Sequence, residues 1–410
     1  MKSRPELPAA ASRRKRLDVP ATGEFALVLA CAGWPPSAAR NLAVSRSAAG
    51  TIDWPRLLRI ARRHRIEGLV HDGLRRAEIV LPPDIAAELR EASAAIARDN
   101  LAFAAESIRL QGLLEAAGTQ FLFVKGVTLG VLAYGTLGVK HAWDIDLLVA
   151  PEDVLATAEL LVGAGYRRVR PDPDLSPEQF RIWNTLSKES TWRNDRAGLH
   201  VEIHHALVDN PHFLSGVSLS SPRQAVQIGS GAVLETLSTD HLFGYLCAHG
   251  ASHAWSRLKW LADIAALLKD MAPAGISRLH ARSLELGAGR SATSALILCS
   301  ELLGLALPPE LEARLYRDRA ALWLARIGLN RMLTGKGETE LHSTALGTVP
   351  LHLSYFLFLP GWRYKLQELR RKLLSPADRS TVQLPRGLRF LYPLMLMPRW
   401  LAYRVRLARR

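Results

Sequence analysis

The feature that most constrains this chain is a short apolar run that contains two carboxylates, residues 143–149 with the sequence WDIDLLV. Side chains alternate between the two faces of a β-strand, so Asp144 and Asp146 share one face and Ile145 lies on the other. Adjacent like charges repel each other, and the usual reason for such a pair is a divalent cation shared between the carboxylates. The run therefore predicts a strand that carries a metal site.

A strand and a glycine turn are predicted just before this run. Residues 121–124 (FLFV) are apolar and aromatic, which is typical of a buried strand. This strand ends at Lys125-Gly126, and Thr128 opens a short helix that ends at Gly135. Backbone N–H groups at the start of such a helix bind phosphate well.

A third polar strand is predicted at residues 200–207, where His200, Glu202 and His204 alternate with apolar residues. An ionised glutamate in the middle of a strand needs a partner, because burying it alone is costly. Three carboxylates on neighbouring strands suit a site in which metal ions hold a nucleoside triphosphate and activate a hydroxyl.

The chain on either side is predicted to be helical. Asp53 is a candidate N-cap with Pro55 in the first turn. A long helix follows Pro82-Pro83-Asp84 and ends near Ala117, before Gly118. Its apolar stripe recurs every seven residues: Leu89, Ile96, Phe103 and Leu110. Helices are expected again from about Ser238.

Charge is concentrated at the two ends of the chain. The net charge is +15, with +4 in residues 1–20 and +11 in residues 351–410, so the chain between them is neutral. A nucleic-acid-binding domain needs a basic surface on its folded part, so nucleic acid is the less favoured partner. The three cysteines are dispersed, and the sequence shows neither a signal peptide nor an apolar run of about 18 residues. Together these features predict a cytoplasmic location.

Four segments together resemble a known family: FLFVKGVTLGVLAYG, HAWDIDLLV, VEIHHAL and HLFGYLCAHGASHAWSRLKWLADIAALL. They are similar to the uncharacterised bacterial nucleotidyltransferases of the DNA polymerase β-like, or minimal nucleotidyltransferase, superfamily, over roughly residues 30 to 340. The resemblance implies an α+β fold with a small mixed β-sheet core flanked by N-terminal and C-terminal helical regions. It also implies an enzyme that moves an NMP from an NTP to a hydroxyl or phosphate acceptor and releases pyrophosphate.

The resemblance also implies roles for individual residues, with Mg²⁺ or Mn²⁺ as the cofactor. The catalytic and metal-binding carboxylates are Asp144, Asp146 and Glu202. The triphosphate-binding residues are Lys125, Gly126 and Thr128. The chain departs from the superfamily in having Lys-Gly where Gly-Gly or Gly-Ser is usual, a longer gap to the first aspartate, and Glu in place of a third Asp.

Five segments are expected. Residues 1–20 form a disordered basic tail, 21–118 a helical region and 119–215 the nucleotidyltransferase core. Residues 216–345 form a helical substrate-side region, and 346–410 a basic, aromatic C-terminal segment. The acceptor is left open between a small molecule, a saccharide and a protein.

Other interpretations remain open at this stage. A DxD glycosyltransferase uses a nucleotide-sugar, although the hundred helical residues before the DxD argue against that fold. A non-catalytic nucleotide-binding pseudoenzyme is the second alternative. His204 and His205 are interpreted as strand histidines and the His249/His253 pair as core or surface histidines. Asp263 is left open between a surface charge and a substrate-side role.

The last sixty residues admit two interpretations. Aromatic and aliphatic residues alternate with arginine and lysine there, which is typical of a segment that lies at a membrane surface. Prolines interrupt it too often for a spanning helix, so any contact is predicted to be peripheral, at the inner membrane face. The alternative is that these helices pack back on the protein and expose their arginines to water.

Overall fold

The computed structural model describes residues 17, 19, 23–229, 231–334, 349–374 and 384–395. The predicted disordered tail, 1–20, lies outside the described residues apart from residues 17 and 19. About half of the basic C-terminal segment also lies outside them. In the described part of the chain no helix is long and apolar enough to cross a membrane.

Five helices precede the sheet, as predicted. The Asp53 carboxylate accepts a hydrogen bond from the Arg56 backbone N–H and so caps the third helix. The fifth helix is 34 residues long, and its heptad stripe is buried. The helices are α1 (Gly23–Ala32), α2 (Ala38–Ala48), α3 (Trp54–His64), α4 (Glu67–Arg76) and α5 (Pro83–Ala116).

The centre of the chain is a five-stranded mixed sheet with the order β1-β2-β5-β4-β3. Strands β2 and β5 are parallel, and the other neighbours are antiparallel. The elements are β1 (Phe121–Phe123), α6 (Val127–Tyr134), β2 (Ile145–Val149), α7 (Val154–Gly163), β3 (Arg167–Arg170), α8 (Pro177–Asn184), β4 (Glu189–Asn194) and β5 (Leu199–His204). The α+β class with a small mixed sheet is thereby confirmed.

Two features of the β-structure were not predicted. Strand β4 lies between α8 and β5, and its Ser190 and Trp192 are buried while Glu189 and Thr191 are half-buried. A hairpin of β6 (Arg223–Ile228) and β7 (Ala232–Leu237) occupies the start of the segment that we expected to be helical. Its strands bury alternate apolar residues, which is the period of a strand and not of a helix.

The helices after the hairpin pack together with the N-terminal ones. They are α9 (Thr239–Ser252), α10 (Leu258–Leu267), α11 (Pro273–Glu285), α12 (Gly289–Leu303), α13 (Pro309–Leu315), α14 (Arg319–Thr334), α15 (Val349–Ser354) and α16 (Trp362–Leu373). One apolar core joins α1–α4 to α9–α14, and a second lies between the sheet, α5 and α7. The buried His64 Nδ1 accepts a hydrogen bond from the Leu258 N–H at 3.0 Å, which fixes the end of α3 to the start of α10. Both helical regions therefore meet beside the sheet.

Candidate functional site

Two of the predicted carboxylates are neighbours on the parallel strand pair. Asp146 on β2 and Glu202 on β5 are register partners, so their side chains leave the same face of the sheet side by side. The Asp146 side chain is fully buried and that of Glu202 is 22% exposed. Asp144 directly precedes β2 on the same alternation and is half-buried. The sheet therefore brings the three predicted acids to one end of two strands.

Asp146 is held by two cationic neighbours through one of its oxygens. The Lys125 Nζ lies 2.5 Å from Asp146 Oδ1, and the His204 Nε2 lies 3.0 Å from the same oxygen. The other oxygen, Oδ2, is buried and has no hydrogen-bond partner among the residues that the structure describes. A buried carboxylate oxygen without a partner is costly unless a cation completes its surroundings.

The side chains present are suited to a metal ion. Ligand atoms of Asp146, Glu202 and His204 all lie within 4.8 Å of one another, close enough to share one cation. Asp144 is outside this group. We expected Asp144 to be the third ligand, and His204 is in that position instead. Carboxylate oxygens suit Mg²⁺ or Mn²⁺, whereas an imidazole ligand suits transition metals such as Zn²⁺, Fe²⁺ or Ni²⁺.

The pKa values in the cluster follow from burial and mutual charge. Burial opposes the charge on Lys125, but the Asp146 and Asp144 carboxylates outweigh it and raise its pKa well above the ordinary value. Burial acts against ionised Asp146 as well, and Lys125 and His204 more than offset it, so its pKa is lowered. The pKa of Asp144 is raised, first by burial and then by the charge of Asp146. The negative charge of Asp144 is thus less well offset by neighbouring cations than that of Asp146.

His204 connects this cluster to a fourth carboxylate. Its Nε2 is 3.3 Å from Glu202 Oε2, and its Nδ1 is 3.4 Å from Glu189 Oε2. Burial and Lys188 oppose its protonation, but Asp146, Glu202 and Glu189 together raise its pKa to about 9. Glu189 also forms an ion pair with Lys188. The structure therefore adds His204 and Glu189 to the neighbourhood of the predicted acids.

The Lys125-Gly126 turn places the start of α6 beside these acids. Gly126 has φ +70° and ψ −126°, a conformation that side chains disfavour, and an added Cβ would lie 3.1 Å from the Asp144 carbonyl oxygen. Thr128 is fully buried, and its hydroxyl donates to the Lys125 carbonyl at 3.0 Å. Lys125 and Gly126 line the adjacent cavity, whereas buried Thr128 stabilises the turn through this hydrogen bond.

A cavity of about 660 Å³ lies in front of this cluster, and its wall includes residues of the N-terminal helices, the sheet core, the helices after the sheet and the C-terminal segment. The core supplies Asp144 and Glu202, and the helices beyond the sheet supply His249, His253 and Asp263. Among the described residues of the wall, cations outnumber carboxylates: Arg63, Arg65, Lys125, Lys140, Arg170, Lys188, Arg257, Lys259, Arg371 and Lys372. The cavity therefore suits a strongly anionic ligand beside a carboxylate cluster.

The N-terminal helices supply a residue that the sequence did not single out. Arg65 ends α3 in a left-handed conformation, with φ 54°. Its guanidinium lies 4.2 Å from the ring centre of Trp143, which directly precedes Asp144 in the chain. A non-glycine residue in this conformation carries strain that is often retained at functional sites. Its backbone geometry and its position in the cavity wall are the only signals that identify it.

The residues left open in the sequence fall into two groups. His249 and His253 line the cavity, and their rings pack on each other and on Trp260. Burial lowers the pKa of both, that of His253 to about 3, so they are neutral. Asp263 is not a surface charge, because it is buried, accepts a 2.9 Å hydrogen bond from the Tyr134 hydroxyl and lies 3.8 Å from the Lys140 Nζ.

Comparison with known proteins identifies a family. The model of a family described as uncharacterised nucleotidyltransferase matches residues 50–304, which is more than half of the chain. The matched range begins before α3 and ends after α12, so it includes Arg65 and the carboxylate cluster. No curated protein and no solved structure matches the chain.

Proposed function

The chain belongs to the family of uncharacterised nucleotidyltransferases, and from that premise we propose that it transfers an NMP from an NTP to a hydroxyl or phosphate acceptor. Pyrophosphate is the second product. The observation that carries this proposal is the pairing of Asp146 with Glu202, in which a buried Asp146 oxygen has no hydrogen-bond partner among the described residues and Glu202 lines a cation-rich cavity.

The metal-binding residues in this proposal are Asp146 and Glu202, with Asp144 as the third carboxylate and His204 as an alternative ligand. A bound Mg²⁺ or Mn²⁺ ion would neutralise phosphate charge and lower the pKa of an acceptor hydroxyl. In the ion's absence, Lys125 supplies the positive charge that Asp146 requires.

The triphosphate is assigned to the cationic side of the cavity. Lys125 and the backbone at Gly126 face it from the turn, and Lys140, Lys259 and Arg65 face it from three other elements. Several fixed cations around a polyphosphate reduce its charge repulsion and orient it for attack at the α-phosphate. Thr128 contributes by holding the turn.

The acceptor and the location are the less constrained parts of the proposal. Small molecules, saccharides and proteins remain candidate acceptors, and nucleic acid is less favoured because the excess positive charge lies at the chain ends. A reducing compartment such as the cytoplasm agrees with three cysteines that are buried and free.

The test is incubation of the protein and a cell extract with each α-³²P-labelled NTP and Mg²⁺ or Mn²⁺. Nucleotidyl transfer predicts labelled material that depends on the protein and on the cation. Label transfer only from a sugar-labelled nucleotide-sugar would instead identify a glycosyltransferase. Nucleotide binding without any transfer would identify a pseudoenzyme and contradict the proposal.

A further inference from the structure

Helix α16 in the C-terminal segment exposes its apolar face to solvent. Four large apolar residues are spaced by four, three and four positions, and they are 69%, 56%, 46% and 36% exposed in chain order: Trp362, Leu366, Leu369 and Leu373. At about 100° per residue they lie within about 60° of the helix circumference. Scattered apolar residues are normal on a surface, but a continuous stripe indicates a binding face.

The opposite face of α16 is polar and attached to the protein. Glu368 is buried, and it pairs with Arg371 at 2.6 Å. Asn210 donates to the Tyr364 carbonyl oxygen and to Glu368, each at 3.3 Å. The Arg371 guanidinium also reaches Asp209 at 3.3 Å. These contacts fix the rotation of the helix about its axis, and they therefore determine that the apolar stripe faces solvent.

Basic residues border the exposed stripe on both sides. Arg363 and Arg370 lie on one side and Lys365 on the other, and all three are exposed. The Arg363 guanidinium lies 5.7 Å from the Trp362 ring centre, at the end of the stripe. An apolar stripe bordered by cations is complementary to an anionic lipid surface, where the rings and leucines enter the acyl boundary and the bases meet the headgroups.

We propose that α16 attaches this protein to anionic membrane surfaces through the stripe Trp362, Leu366, Leu369 and Leu373. Each face of this helix then fits one of the two interpretations of the C-terminal segment. The inner face packs on the protein, and the outer face contacts lipid. This membrane attachment does not depend on the proposed reaction. Tyr364 and Glu368 also line the cavity, so attachment places the cavity wall next to the lipid surface.

The test is co-sedimentation of the full chain with vesicles of phosphatidylcholine, or of equal parts phosphatidylcholine and phosphatidylglycerol. We expect binding to the anionic vesicles that weakens as salt is raised. The double variant Leu366→Gln, Leu369→Gln removes apolar surface without a change in charge and should bind roughly tenfold more weakly. Arg363→Gln should weaken binding about fivefold at low salt.

A matched control separates lipid contact from a general loss of surface hydrophobicity. Leu101 on α5 is 63% exposed and distant in sequence, and Leu101→Gln should bind vesicles like the wild type. Equal binding by the wild type and the double variant would overturn the proposal, as would absence of binding to anionic vesicles at low salt. A wild-type dimer in light scattering that the double variant converts to a monomer would assign the stripe to a second copy and overturn it as well.

Discussion

Asp146 and Glu202 lie opposite each other on the parallel strands β2 and β5, and the Lys125 ammonium is 2.5 Å from Asp146. Asp146 therefore has a counter-ion from the protein itself. Asp144, one alternation away, has no comparable ion pair of 4 Å or less among the described residues. This asymmetry between the two aspartates has consequences that mutation can separate.

Asp144→Ala should abolish turnover and leave the thermal stability unchanged or raised, because it removes a carboxylate whose pKa is raised by burial and by Asp146. Asp146→Ala should also abolish turnover, but it should lower the free energy of unfolding by about 3 kcal/mol, because it leaves buried Lys125 unpaired. Thermal unfolding of both variants checks this difference. Unfolding of Asp144→Ala at ambient temperature would indicate a structural role for Asp144.

Lys125→Met should make stability depend on a divalent cation. Without the ammonium, buried Asp146 keeps His204 as its one cationic partner among the described residues, and the free energy of unfolding should fall by about 3 kcal/mol. Added Mn²⁺ or Mg²⁺ binds the folded state only and should recover stability, so the cation should raise Tm more in this variant than in the wild type. Lys365→Met, at an exposed lysine of α16, is the control. A cation effect of the same size in all three proteins would count against a metal site at Asp146.

Arg65→Gln should weaken NTP binding by roughly tenfold, the loss expected for one charge-assisted hydrogen bond to a phosphate. Arg62 lies on the same helix, α3, and pairs with Glu88 outside the cavity. Arg62→Gln is therefore the matched control, and it should bind NTP like the wild type. Calorimetric titration with a non-hydrolysable NTP measures both. Equal affinities would remove Arg65 from the triphosphate site.

The dependence of NTP affinity on pH should involve Lys259. Burial, Lys140 and Arg65 lower the pKa of Lys259 to about 7, against the opposing charges of Asp263 and Asp144. The free site loses this positive charge as pH rises through about 7, so its affinity for a polyanion should fall by up to roughly tenfold per pH unit above that. Titration of the ligand itself affects every protein equally, so the comparison is with Lys259→Met. The same pH profile in both proteins would be evidence against a charged Lys259 in the site.

The local part of the site could be predicted from the sequence because short-range rules determine it. Strand alternation placed Asp144 and Asp146 on one face, and the same rule placed Glu202 on the next polar strand. The Lys125-Gly126 turn follows from a strand that stops at a glycine before a helix. The roles of these residues in catalysis stay predictions until they are tested.

The remaining part of the site depends on contacts between distant segments. Glu189 lies on β4, a strand that was not predicted, and His204 becomes significant only where its ring meets Asp146 from the neighbouring strand. Arg65 lies far from Asp144 in sequence, and the two segments meet where the Arg65 guanidinium packs on the Trp143 ring. The heptad stripe of α5 predicted a buried face but not its partners. Long-range packing of this kind leaves no local pattern in a sequence.

The proposed nucleotidyl transfer is tested most directly with two labelled forms of the same NTP, one with ³²P at the α-phosphate and one with ³²P at the γ-phosphate. Each form is followed in single turnovers with Mg²⁺ or Mn²⁺. The proposed reaction predicts that the wild type transfers the α-label to an acceptor and releases the γ-label as pyrophosphate. Asp144→Ala, which should remain folded, should do neither. Transfer of the γ-label to the acceptor, or equal transfer of the α-label by the wild type and by Asp144→Ala, would contradict it.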